Sequence, residues 1–543
     1  MNFRSFMRRR PRRNPGIGAD RRRFGPAARC LAGVLAVSLA LLPLPGTAQF
    51  SAGGSGGGNN LPSIGEESES VLSPRMERRI GEEYYRELRG SPDYLDDPEI
   101  AAYVAELGAR LIAASPEPGL DVEFFVMKDD SINAFAMLGG FIGVNTGLLI
   151  AAQSESEAAS VLGHELGHLI QKHIARSVSA GQKISMASMV AAALCLLAAR
   201  SNSQATQACM MGVTAVPISQ QLAYSRDFER EADRIGFEIL RKGGFDVTAM
   251  PTFFERLQRA NRVYDSNVPV YVRTHPLTTE RIADVRNRAQ FAQYRQHADS
   301  LGFHLARAKL RATMDATVDG MRDAQRYFAA QLADKTYANL AAAHYGYAVA
   351  LLKARDYAHA QAELALIPKS VVHPMFDSLG AEILLARQDY AGAIAAYRAA
   401  AAKFPSVRYL QLHLIRALQL ANRHEEALVL LRDQAQNYRS DPTVFELQAR
   451  SYAAANKRML QHQSMAEFHA LLGRYQPAIN ELMMARCTGE GDFYQYSIID
   501  ARIRTLWDDM AEQKRDKEGK SSGDDGGRKR LPPMAERPPE GRC

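Results

Sequence analysis

Apolar and polar positions fall into two textures along this chain. From Pro74 the run MERRIGEEYYREL, and from Asp97 the run DPEIAAYVAELGARLIAA, repeat apolar residues at intervals of three and four, which predicts two amphipathic helices. Residues 122–126 (VEFFV) are short, aromatic and β-branched and predict a strand. After a turn at Gly139-Gly140, residues 141–145 (FIGVN) predict a second strand. Helical periodicity resumes at Glu155 and runs through SVLGHELGHLIQKH as one helix.

Past residue 300 the helices become Ala-rich and repetitive. Asp356-Tyr357-Ala358-His359-Ala360 recurs as Asp389-Tyr390-Ala391-Gly392-Ala393 and Arg423-His424-Glu425-Glu426-Ala427, the last alanines being 33 and 34 residues apart. Arg474-Tyr475-Gln476-Pro477-Ala478 is a looser copy. A period of about 34 residues with small residues at fixed places resembles the tetratricopeptide repeat, a stacked helix pair. Such solenoids usually present a concave face to a protein segment.

Composition changes this picture mainly at the ends. A chain of 543 residues exceeds one core, and 46% hydrophobic with 23% charged residues is globular usage. The net charge of +7 is misleading, because residues 1–48 hold ten Arg against one Asp and the remainder has 57 basic and 59 acidic residues, a net of −2. That distribution argues against a nucleic-acid partner. The leader itself reads as an export signal: an Arg-rich start (with some likeness to a twin-arginine signal at Arg21-Arg22-Arg23-Phe24), an apolar stretch at residues 31–42, then Gly46-Thr47-Ala48 as a cleavage site. Twelve apolar residues are too few to span a membrane. Export implies the periplasm, where Cys195 with Cys209, and less convincingly Cys487 with Cys543, are candidate disulfides. A Gly/Ser linker follows the leader, and residues 511–543 read as a disordered polar tail. Residues 184–199 (ISMASMVAAALCLLAA) read as a buried or site-covering helix, suited to a lid.

The chemistry concentrates in His164-Glu165-Leu166-Gly167-His168. Two His at i and i+4 share a helix face and can converge on one zinc, while Glu165 beside them can act as general base. Five residues alone do not establish this, since paired helix histidines also occur as solvated or structural groups. The spacing that extends the motif in metzincins is occupied by Gln171 and Ile174, which excludes that subclass. His173, five residues past His168, points elsewhere on a continuous helix and reads as structural. A third ligand must come from a later helix, and Glu229 and Asp233 are i and i+4 there, with Glu231 turned away by roughly 200°. Glu229 is the candidate ligand, and Asp233 the carboxylate that orients a ligand His. A salt-bridged surface helix, with Arg226, Arg230 and Arg234 among the acids, is the alternative.

Taken together, these motifs resemble the M48 family of zinc metallopeptidases. His164-Glu165-x-x-His168 matches its zinc helix, Glu229-x-x-x-Asp233 its third-ligand helix, and Asn133 through Leu148 the segment before the zinc helix. Thr274-His275-Pro276 with Arg281-Ile282 resembles its downstream element. The resemblance implies one zinc per chain, a role for His275 in stabilising the oxyanion or in ligating zinc and blocking water, and a supporting role for Arg281.

The expected fold is an α+β zincin-like metallopeptidase domain followed by an all-α tetratricopeptide-repeat solenoid. The expected division is a signal peptide at 1–48, a linker at 49–73, the peptidase at 74–295, the repeats at 300–510 and the tail at 511–543. The expected activity is endopeptidase cleavage of misfolded or stalled envelope proteins. The resemblance implies outer-membrane β-barrel proteins and their assembly machinery as partners, with membrane contact at the periplasmic face. The rival is a periplasmic chaperone or scaffold in which the repeats act and the zinc site is latent or regulatory; an intact Glu165 favours the enzyme.

Overall fold

Capping chemistry starts the first two helices where the pattern places them. Ser73 Oγ accepts the Met76 N–H (3.3 Å) to open α1 (Pro74–Arg89), and Asp97 accepts from Glu99 and Ile100 to open α2 (Pro98–Ala114). In this computed structural model the described residues are 73–180, 226–263, 270–293 and 295–517. The leader, the linker before Ser73, residues 184–199 and the chain after Lys517 lie outside them. So do Cys30, Cys195, Cys209 and Cys543, while Cys487 is disulfide-bonded.

Three strands follow: β1 (Glu123–Met127), β2 (Ala134–Met137) and β3 (Phe141–Asn145), in the order β1-β3-β2. β3 pairs parallel with β1 and antiparallel with β2, and all five of its residues are buried. The first strand is displaced one residue from its expected span. β2 was not foreseen, because the four residues AFAM are too short to display alternation. Gly139 and Gly140 turn β2 into β3 with φ of 75° and 87°, and a Cβ on Gly140 would lie 2.3 Å from the Asp121 carbonyl.

After α3 (Thr146–Ala151) comes α4 (Glu155–Ile170), capped by Ser154 and buried on all sides from Glu155 to His168. This helix ends sooner than expected. Lys172 takes a left-handed conformation (φ 49°), and α5 (His173–Ala180) sets off in a new direction. Then come α6 (Arg226–Gly243), α7 (Ala249–Val263), α8 (Val270–Thr274) and α9 (Thr279–Phe291). They close one hydrophobic core with α2, the sheet and α4, around Leu107, Ile142, Leu162, Leu240 and Phe254.

The remaining described elements are all helices. Helix α10 (Leu301–Thr313) gives Phe303, Ala306 and Leu310 to that first core, and Leu305, Ala308 and Ala312 to the next. After α11 (Val318–Asp334), helices pair as α12 (Leu340–Lys353) with α13 (Tyr357–Ala365), α14 (Pro374–Ala386) with α15 (Tyr390–Lys403), and α16 (Arg408–Leu420) with α17 (His424–Asn437). Two more pairs are α18 (Pro442–Ala454) with α19 (Arg458–Leu471), and α20 (Tyr475–Arg486) with α21 (Phe493–Lys517). The turns inside the first four pairs carry positive φ at Arg355, Gln388, Asn422 and Asn456, which continues the period into a copy the sequence pattern hid. The looser copy at Ala478 begins the first helix of a pair and not the second, so it is half a period out of phase.

The repeats close around the peptidase side. Buried Glu99 of α2 meets one residue from each of four alternate helices: Lys309 Nζ (2.7 Å), Tyr345 OH (3.5 Å), Ser378 Oγ (2.5 Å) and His413 Nδ1 (3.9 Å). Asp441 binds Arg89 of α1 and Arg408. The stretch read as tail starts too early: residues 511–517 continue α21, where Glu512 pairs with Arg79 (2.6 Å) and Gln513 with Glu83 (3.2 Å) on α1. Among the described residues no helix is long and apolar enough to cross a membrane.

Candidate metal centre

Two helices cross through glycine. Gly163 and Gly167 on α4 face Gly236 and Ala232 on α6, so closely that a Cβ on Gly167 would lie 2.9 Å from the Ala232 carbonyl and one on Gly236 2.9 Å from His164 N. Small residues at i and i+4 on both helices let the backbones touch. The polar residues at the same spacing, His164 and His168 against Glu229 and Asp233, are thereby brought face to face.

His164, His168, Glu229 and His275 are all buried, and their ligand atoms lie within 4.8 Å of one another. His164 Nε2 is 3.0 Å from His168 Nε2, 3.4 Å from His275 Nδ1 and 3.5 Å from Glu229 Oε2. Glu229 Oε1 is 3.0 Å from His275 Nδ1 and 3.6 Å from His168 Nε2. A tetrahedral zinc with ligands at about 2.0–2.1 Å requires donor separations of about 3.3–3.4 Å. The five separations above, measured to either Glu229 oxygen, run from 3.0 to 3.6 Å around that edge.

Around the cluster, Glu165 Oε2 accepts the Ala136 N–H of β2 (3.0 Å), and its Oε1 lies 3.4 Å from His275 Nε2. Asp233 Oδ1 lies 2.9 Å from His164 Nδ1, and Arg281 donates to both Asp233 oxygens at 2.7 and 2.8 Å. Glu231 does not reach the cluster; it binds His173 (3.0 Å) and Arg176 (2.7 Å). His173 does not point away from the site, as its position on a continuous helix implied. The break at Lys172 returns its ring to His168, Nδ1 to Nδ1 at 2.8 Å.

Electrostatics fit a dication. With neutral imidazoles, the buried carboxylates Glu165, Glu229 and Asp233 face, among the described residues, the one guanidinium of Arg281, an excess of two negative charges. Burial alone would raise Glu229, but His275, His164 and Arg281 hold it well below the usual carboxylate range. Asp233 is likewise lowered against its burial, by Arg281 and His164. Glu165 moves the other way, because burial outweighs the nearby His275 and His164 rings. Burial would depress His164, yet Asp233 and Glu229 raise it to about 9. His168 is pushed well below the ordinary value by burial and the neighbouring histidines. Glu229 Oε2, Glu165 Oε1 and His164 Nδ1 are buried without an aligned hydrogen-bond partner, although Arg281 Nη1 lies 2.6 Å from the first and Asp233 Oδ1 2.9 Å from the last. The donor set, its spacing and its charge thus suit a divalent ion bound by nitrogen and oxygen.

Sequence reasoning missed Tyr271, fully buried in α8 with its ring stacked on His275 (4.8 Å, 30°). A Tyr one helical turn before His275 was the available signal. It also missed the contact of His173 with His168, whose only signal was a third His soon after the pair.

Comparison with known proteins agrees with this geometry. The sequence model of Peptidase family M48 matches residues 98–289, and that of the tetratricopeptide repeat residues 384–451. The β-barrel assembly-enhancing protease of Escherichia coli (strain K12) is 32% identical over 449 residues, covering 82% of this chain and 91% of the relative. A putative β-barrel assembly-enhancing protease of Vibrio cholerae is 41% identical over 250 residues, 46% of this chain and 51% of its own. The mitochondrial metalloendopeptidase OMA1 of Schizosaccharomyces pombe is 27% identical over 231 residues, 41% of this chain and 64% of its own. A likeness that extends over nine-tenths of a bacterial protease, repeats included, settles the matter: the chain belongs to the M48 family of metallopeptidases.

Proposed function

We propose that the chain is an exported zinc endopeptidase whose single zinc is held by His164, His168 and Glu229, with Glu165 as general base. The observation that supports this most is the convergence of those buried ligand atoms within 4.8 Å of one another, with a further carboxylate beside them. Bound there, zinc supplies the Lewis acidity that polarises a peptide carbonyl and makes water a nucleophile at neutral pH. Glu165, steadied by the Ala136 N–H, takes the proton from the attacking water and returns it to the leaving amine. Asp233 keeps the His164 proton on Nδ1, which leaves the Nε2 lone pair for the metal, and Arg281 holds Asp233 in place through two N–H bonds.

His275 has two parts in this proposal. At rest its Nδ1 completes a set of four ligand atoms, while Nε2 faces Glu165. Displaced by substrate, its ring N–H donates to the oxyanion that develops on the carbonyl. The same closed set favours the second reading, a chaperone or scaffold with a latent site. The proposal includes the division at residues 74–295 and 300–510, with α10 as the joint, and a periplasmic location reached by removal of the leader. It also takes misfolded or stalled envelope proteins as substrates. Outer-membrane β-barrel proteins and their assembly machinery enter as partners by likeness to the β-barrel assembly-enhancing proteases. The test is cleavage of reduced casein by the purified full chain. Activity should vanish on chelation and return with one equivalent of zinc; cleavage that persists without metal would end the proposal.

A further inference from the structure

Both α4 histidines are backed on the nitrogen that faces away from the cluster. For His164 the backing is short: Nδ1 meets Asp233, and Arg281 grips Asp233. For His168 it is longer by one imidazole. His168 Nδ1 lies 2.8 Å from His173 Nδ1, His173 Nε2 lies 3.0 Å from Glu231 Oε2, and Arg176 Nη1 holds that oxygen at 2.7 Å. The His173 ring is fully buried and stacked on Phe228 (4.5 Å, 11°), and the Arg176 guanidinium lies 4.5 Å from the same ring. Each chain thus ends in a carboxylate held by an arginine.

The proton positions follow from which groups can donate. A carboxylate only accepts, so Glu231 fixes the His173 proton on Nε2. His173 Nδ1 is then an acceptor, and His168 must donate to it from Nδ1. That leaves the His168 lone pair on Nε2, the atom that lies in the cluster. Were His173 the other tautomer, its N–H would meet the lone pair of His168 and turn an N–H towards the metal.

We propose that His173, backed by Glu231 and Arg176, is a positioning residue that fixes the tautomer and ring plane of His168 and thereby tightens metal binding. The proposal rests on the reading of His168 as a ligand and adds the groups that make it one. It also gives Glu231 a part in the site from outside the cluster, through two imidazoles.

The experiment is a zinc titration of the metal-stripped full chain against a chromophoric chelator, for wild type, His173→Phe, Glu231→Gln and His168→Ala, with thermal unfolding of each metal-free protein. His173→Phe keeps the stacked ring but removes the acceptor, and should weaken zinc binding by about 10–100-fold. Glu231→Gln, whose amide can also donate and so release the tautomer, should weaken it by about tenfold. Metal-free melting should stay near wild type. Should His173→Phe fail to fold, Glu231→Gln decides, since that side chain is 36% exposed. Wild-type affinity in both variants overturns the proposal, as does a loss matched by an equal loss of metal-free stability. If wild type itself binds no zinc, or His168→Ala binds as well as wild type, the ligand reading fails instead.

Discussion

The crossing of α4 and α6 through glycine makes a sharp prediction about geometry. Gly236→Ala would put a Cβ 2.9 Å from His164 N and 3.0 Å from the Gly163 carbonyl carbon, and both are backbone atoms that cannot rotate aside. Restoring ordinary contact at 3.4 Å needs a separation of 0.5 Å (3.4 − 2.9) between the helices. Glu229 and Asp233 travel with α6, and a metal site tolerates ligand displacements of only about 0.2 Å. Zinc affinity should therefore fall by at least about tenfold. The fold should survive, because overpacking costs about 1–3 kcal/mol and alanine returns about 1 kcal/mol of helix propensity. Gly163→Ala is the matched control: its Cβ would meet the Gly236 carbonyl at 3.4 Å, an ordinary contact, so zinc binding should stay near wild type. The assay is chelator competition alongside thermal unfolding of the metal-free proteins. Equal zinc affinity in the two variants would refute the reasoning that glycine contact sets the ligand spacing.

Other expectations follow from the same arrangement. At saturating zinc, Glu231→Gln should fill to one equivalent while Glu229→Gln should not; metal analysis after gel filtration decides, and the reverse outcome would move the ligand assignment two residues along α6. His275→Ala should raise casein cleavage if its Nδ1 blocks the resting site, or lower it about 10²–10³-fold if oxyanion donation dominates; unchanged turnover and unchanged zinc binding would show it is neither switch nor catalyst. Glu99→Ala removes the carboxylate shared by Lys309, Tyr345, Ser378 and His413, and should cost about 3 kcal/mol in urea unfolding; an unchanged midpoint would mean that this buried network does not join the repeats to the peptidase side.

The sequence made the helices legible because their signals are local. The apolar periodicity from Pro74 and Asp97, the i, i+4 histidines and the i, i+4 carboxylates all repeat within one or two turns, so helical phase alone predicts which groups share a face. His275, just past α8, and Arg281, on α9, have no such phase relation to α4, and only family resemblance picked them out. The break after Ile170 was hidden because Lys172, not glycine, takes the left-handed position, and His173 was misjudged with it. The fourth repeat turn was hidden for a similar reason. Asn456 repeats the conformation of Asn422 between an alanine and a basic residue, but Arg458-Met459-Leu460-Gln461 stand where His424-Glu425-Glu426-Ala427 carry the motif. What meets what across the two cores was not legible at all, since nothing near Glu99 in sequence indicates Lys309 or Ser378.

The central claim, that this cluster is a zinc peptidase site with Glu165 as base, is tested most directly by comparing Glu165→Gln with wild type on reduced casein, zinc content being measured on the same samples. The substitution spares His164, His168 and Glu229 and can still accept the Ala136 N–H through its amide oxygen, so zinc should remain at one equivalent and the fold should hold. Removing the base should reduce cleavage by about 10²–10⁴-fold. Full zinc with cleavage near background is the predicted result, and full zinc with wild-type cleavage would contradict the account.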